Sequence, residues 1–74
     1  MKELYEGVAE ILEIAPATVN SSLSLVDYAW DSLAIVSTMA LVDDLYGVVL
    51  DGKSLLSCKT VADIEGLIAS KRGS

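Results

Sequence analysis

The chain has 74 residues, a formal charge of −6 and a pI near 4.2, which argues against nucleic-acid binding because that needs clustered Lys and Arg. Cys58 is the lone cysteine and there is no histidine, which rules out an intramolecular disulfide and a Ser-His-Asp or Cys-His catalytic arrangement and argues against a metal site. A chain of this size buries only roughly 60–65% of the surface that its unfolded form exposes, so residues 1–74 are expected to form one small domain, with no room for a separate catalytic one.

Trp30, Tyr5, Tyr28 and Tyr46 are the aromatic residues, so the core must come from Leu, Ile, Val and Ala. No basic residue lies between Lys2 and Lys53. No stretch reads as a signal peptide and no apolar run approaches ~20 residues. A soluble, monomeric, cytoplasmic protein without a membrane span is the resulting expectation.

Residues 2 to about 14 predict a first amphipathic helix, with Leu4, Val8, Ile11 and Leu12 on one stripe and Glu3, Glu6, Glu10 and Glu13 mainly off it. Pro16 disfavours helical geometry at Ala15 and is expected to end this helix. Residues 15–31 then form a long connection rich in turn formers. Long loops in small domains are usually functional or pinned; Val19, Leu23, Leu25 and Val26 are the expected pins, which makes this loop ordered.

Residues 32 to about 46 predict the second and most apolar helix. Asp31 or Ser32 is suited to cap it, because a side-chain oxygen can accept from the free N–H groups of the first turn. Leu33, Val36, Ala40 and Leu41 are expected to face the core, with Val42 and Leu45 closing the stripe. Ala34, Ser37, Thr38 and Asp44 are expected outside. Gly47 suits the position just past the helix end. Val48-Val49-Leu50 is expected to be extended, burying Leu50 and one of the valines. A short third helix is expected over Lys53 to Ser57, with Leu55 and Leu56 inward. Thr60-Val61-Ala62-Asp63 is a capping-box sequence that opens a last helix to about residue 71, burying Val61, Ile64, Leu67 and Ile68. Residues 71–74 read as a frayed tail. The expected fold class is all-α: a small bundle of three main helices plus one short helix, with a long ordered first loop.

Reactive groups are few. Asp43 and Asp44 point about 100° apart on a helix and make a poor acid/base pair. Lys59 beside Cys58 could lower its pKa slightly, although a small buried hydrophobe is the plainer reading. No catalytic residue and no metal ligand is assigned. Ser32 has no base of its own. It reads either as a cap or as an attachment point for an outside enzyme.

Asp31-Ser32-Leu33 at the start of a second helix, in an acidic domain of this length, resembles the acyl carrier proteins. Tyr46, Leu50 and Thr60-Val61-Ala62-Asp63-Ile64 also fall at matching places, so the resemblance covers nearly the whole chain. It implies a carrier without catalytic activity of its own. A phosphopantetheinyl transferase would attach 4′-phosphopantetheine from coenzyme A to Ser32, and the arm would hold acyl groups as thioesters. It implies Asp31 as a transferase contact, and Trp30, Leu33, Asp43 and Asp44 as docking residues. It also implies an acyl cleft between the second and third helices, bordered by Met39, Ala40, Leu41 and Leu55. The partners implied are acyl-activating, ketosynthase or acyltransferase-type enzymes.

Many fatty-acid carriers have acidic residues in the first turns of the second helix, where this chain has Ala34 and Ser37. Trp30 replaces a small residue, and the first loop is about one residue shorter than the common spacing. These departures argue against docking on the usual fatty-acid enzymes and suggest a specialised stand-alone carrier, for instance one serving polyketide, lipid-modifying or other secondary pathways. The alternatives are an aminoacyl carrier, D-alanyl or peptidyl, and an unmodified interaction module in which Ser32 is only a cap. Ala29-Trp30-Asp31 lacks the glycine pattern of peptidyl carriers.

Overall fold

A computed structural model describes residues 2–72. Four helices follow one another: α1 over Lys2–Leu12, α2 over Ser32–Tyr46, α3 over Gly52–Leu56 and α4 over Val61–Lys71. Two 3₁₀ turns, Pro16–Thr18 and Leu25–Asp27, lie in the first loop. The expected bundle of three main helices and one short helix is what forms.

The core is aliphatic. Leu4, Val8, Leu25, Val42, Leu50, Leu55, Val61, Ile64 and Ile68 are all buried, and a side chain of this kind contributes about 1.5–3 kcal/mol when fully buried. Tyr5 adds a tie from α1 to α4 by donating its hydroxyl to Glu65 at 2.7 Å. The hydrogen bond to that carboxylate is the main reason its pKa is raised. The guanidinium of Arg72 sits 5.5 Å from the ring centre of Tyr46.

α1 ends at Leu12, earlier than Pro16 demands, because Glu13 turns left-handed at φ 60°. The N–H of Ile14 then reaches the carbonyl of Ala9 at 2.9 Å, and that of Glu13 reaches Glu10 at 3.2 Å. This is the paired closure of a Schellman motif.

The first loop is ordered, as expected, and is fastened at both kinds of contact available to it. Val19 and Leu25 are buried, Leu23 is half-buried, and Val26 is exposed. Its carbonyls also serve the start of α4. Val61 donates to Leu23 at 3.2 Å and Ala62 donates to Ser21 at 2.9 Å, while Leu25 donates back to Lys59 at 2.8 Å. Asp63 takes the remaining N–H groups, those of Lys59 at 2.9 Å and Thr60 at 3.2 Å. These bonds satisfy donors that a helix start leaves free, and they hold the Asp63 carboxyl below its ordinary pKa.

α2 corrects the expected face. Ala34, Ile35, Thr38 and Val42 are buried, while Leu33, Val36 and Ala40 are exposed. Thr38 tolerates full burial because its hydroxyl donates to the carbonyl of Ala34 at 2.8 Å, the i−4 bond open to a helical threonine. Gly47 closes α2 at φ 65°, donating to Asp43 at 2.8 Å.

Beyond α2, Val48 and Leu50 are buried and Val49 is exposed, the alternation of an extended segment. In α3 only Leu55 is buried; Leu56 is 63% exposed, against expectation. A five-residue helix spans little more than one turn, so adjacent leucines cannot both face the core. The thiol of Cys58 is buried and donates to the carbonyl of Ser54 at 3.4 Å. Burial, followed by the Asp63 charge, pushes it up to about 11, so Lys59 does not activate it. α4 continues through Lys71, and Arg72 still donates to Ile68 at 3.0 Å. The tail expectation for Gly73 and Ser74 lies outside the described residues.

Two predictions follow from the helix ends. Glycine carries no penalty in the left-handed region, which costs other residues roughly 1–2 kcal/mol. Glu13→Gly is therefore expected to raise the urea midpoint, by about 1 kcal/mol of stability, with an unchanged m-value. Asp63 has a depressed pKa in the folded state, so its contribution is present above the ordinary carboxylate pKa and is lost as pH falls through the folded value. Urea titrations below about pH 4 are expected to show stability falling less steeply in Asp63→Asn than in the parent chain.

Candidate functional site

Ser32 is the first residue of α2 and is exposed. The cap is Asp31: its backbone is extended, and Oδ1 accepts from the N–H of Ala34 at 3.0 Å. The Asp31 carbonyl also accepts the first helical bond, from Ile35 at 2.9 Å. Ser32 is thereby relieved of capping, and its hydroxyl makes no hydrogen bond among the described residues. The first turn carries no acidic residue. Its free N–H groups and the positive end of the helix dipole favour an anion at this place. A phosphate-linked group on Ser32 therefore suits the residues around it.

Trp30 holds the strand of chain that enters α2. Its indole N–H donates to the carbonyl of Leu55 at 3.0 Å, and its ring packs half-buried on the core. It is thus tied to α3 as part of the fold, with only part of its surface left for a partner. Leu33, next to Ser32, is 75% exposed. Asp43 and Asp44 are exposed near the other end of α2.

The four residues expected to border one cleft are not brought together. Met39 and Ile35 face α3, lying 3.9 Å and 3.7 Å from where a Cβ on Gly52 would be. Leu55 is fully buried in the core. Ala40 and Leu41 instead line an open groove of about 650 Å³ with Gly7, Glu10, Ile11, Ser37 and Asp44, between α1 and α2. Leu41 comes so close to Gly7 that an added Cβ would stand 2.5 Å from its Cδ2. A smaller depression of about 180 Å³ lies at the start of α2, lined in part by Ile11, Glu13, Asp31, Leu33 and Ser37, the sequence neighbours of Ser32 among them. The α1 residues of both hollows escaped the sequence reading. The signal available was Gly7, whose missing side chain admits the neighbouring helix.

Residues 2–68 match the protein family described as phosphopantetheine attachment site. The chain belongs to the acyl carrier protein family. It is 34% identical over 71 residues to a protein named Acyl carrier protein MbtL from Mycolicibacterium paratuberculosis, covering 85% of this chain and 80% of that one. It is 42% identical over 45 residues to a protein of the same name from Mycobacterium sp. (strain MCS), covering 61% of this chain and 51% of that one. In that second alignment the chain spans about half the relative's length. No solved structure gives a significant match. The prosthetic group of this carrier is 4′-phosphopantetheine. Members of the family are generally non-catalytic and work with biosynthetic enzymes. No helix among the described residues is long and apolar enough to cross a membrane.

Because Asp31 acts through its side-chain oxygen, amide and carboxylate should cap alike, whereas loss of the cap costs about 1 kcal/mol. Thermal or urea unfolding is expected to place Asp31→Asn within a few tenths of a kcal/mol of the parent and Asp31→Ala clearly below both.

Proposed function

We propose that Ser32 is the attachment residue and that the chain carries acyl intermediates as thioesters. One observation supports this most. Asp31 caps α2, so the exposed Ser32 hydroxyl is left with no structural task, at a helix start suited to a phosphate. The same observation weighs against the reading in which Ser32 is only a cap. When bound, the prosthetic group supplies a thiol that holds an acyl group.

The residues of the chain supply position. Ser32 offers its hydroxyl oxygen to the pantetheine-side phosphorus of coenzyme A; the new P–O bond makes a phosphodiester as the pyrophosphate P–O bond breaks, and adenosine 3′,5′-bisphosphate leaves with the bridging oxygen. Asp31 is engaged as the helix cap, and in this reading the serine proton passes to a base on the transferase. Asp31 fixes the first turn and faces the incoming transferase. Trp30 holds the entering chain against α3. Leu33 offers apolar surface beside the attachment point.

Acyl rather than aminoacyl cargo is favoured by the two relatives, both named acyl carrier proteins. The uncharged first turns of α2 differ from the acidic ones of many fatty-acid carriers and point to lipid, polyketide or other specialised biosynthesis. The partners are then a phosphopantetheinyl transferase and acyl-activating, ketosynthase or acyltransferase-type enzymes, all in the cytoplasm.

Intact mass after incubation with coenzyme A, Mg²⁺ and a broad-specificity phosphopantetheinyl transferase tests the assignment. One added phosphopantetheine is expected on the parent chain and none on Ser32→Ala. Modification of Ser32→Ala to the same extent would move the attachment to another residue. Parallel loading with acyl- and aminoacyl-activating enzymes then separates the two cargo classes.

A further inference from the structure

Between Asp31 and Asp43 α2 carries no charged residue, so a basic partner finds no carboxylate along its first turns. Glu10 on α1 and Glu13 just past its end provide carboxylates there instead. Glu10 and Asp44 line the larger α1–α2 groove, whose floor includes Gly7, Ile11, Ala40 and Leu41. Glu13 and Asp31 line the smaller depression at the start of α2. Ile11 and Ser37 line both hollows, so the two adjoin along the α1–α2 seam and together form a trough. With α2 rising 1.5 Å per residue, it extends roughly 20 Å from Asp31 to Asp44. Its lining holds four carboxylates and no Lys or Arg.

We propose that the α1–α2 trough is the docking surface for the phosphopantetheinyl transferase that acts at Ser32. The partner face that fits is an apolar ridge flanked by Lys or Arg. The apolar floor supplies the buried contact, and the acidic rim supplies charge complementarity, which acts mainly on encounter and orientation. The footprint is thus shared by two helices, with Glu10 of α1 and Glu13 just beyond it standing in for the acids that the first turns of α2 lack. This inference rests on Ser32 being the attachment residue.

Transferase kinetics with coenzyme A test it. Glu10→Gln/Glu13→Gln is expected to raise KM for the carrier about fivefold at low salt with kcat unchanged, and the difference should shrink in ~0.5 M salt as screening grows. Glu3→Gln/Glu6→Gln removes the same charge from exposed positions of α1 outside the trough and is expected to leave KM within about twofold of the parent. Ala40→Arg puts a cation on the floor at an exposed position and should raise KM as well. Equal effects of the two double variants, or no effect of either, would overturn the proposal. So would amide shifts at Gly7, Ile11 and Ala40 that move when a hydrocarbon acyl chain is loaded without any partner, since these would give the trough to the cargo. Failure of the parent chain to accept any phosphopantetheine is a different result, overturning the carrier assignment and the docking proposal with it.

Discussion

The rotation of α2 about its own axis is the constraint on which the rest depends. This helix is apolar nearly all round, and it packs between two neighbours. Its α1 side presents Ala34 to the depression near Ile11 and Leu41 to Gly7, and its α3 side presents Ile35 and Met39. Those contacts take up a wide arc that includes Thr38 and Val42. The outward stripe, Leu33, Val36, Ala40 and Asp43, keeps the three-and-four spacing of one helix face and is exposed, with Leu33 and Ala40 bordering the α1–α2 hollows. Ser32 opens the same helix at its exposed end. The proposed attachment residue and the exposed stripe therefore both follow from how α2 is set in the bundle.

The site is also fixed from below. The first loop spends its carbonyls on the start of α4, and its last residue but one before α2, Trp30, is bonded to the carbonyl of Leu55. The chain leading to Ser32 is thus tied to two helices at once, although it contains no long helix of its own. A carrier needs this combination: a mobile arm has defined reach only if its base is held, while the hydroxyl that bears it must remain open to another protein.

Local signals were legible in the sequence. The Asp31-Ser32 cap, Gly47, the Thr60–Asp63 box and the alternation across Val48, Val49 and Leu50 each depend on a few neighbouring residues and were realised. The face of α2 was not legible, because Leu33, Val36 and Ala40 form as good a stripe as the true one. Threonine also reads as polar until its bond to Ala34 is known. The end of α1 was hidden for a similar reason: Pro16 is a strong stop signal, whereas nothing marks Glu13 as left-handed. The grouping of Met39, Ala40, Leu41 and Leu55 failed because it assumed one cleft on the α3 side. Which helix each residue meets is set by that same rotation, and no single residue encodes it.

A matched pair of truncations measures the rotation directly. Val36 and Val42 lie in one helix and lose the same atoms on mutation to alanine, yet Val36 is 61% exposed and Val42 is fully buried. Equilibrium urea unfolding is predicted to show Val36→Ala within ~0.5 kcal/mol of the parent and Val42→Ala destabilised by about 2 kcal/mol. Equal losses, or the larger loss at Val36, would mean that α2 is turned the other way and that the face described beside Ser32 is part of the core.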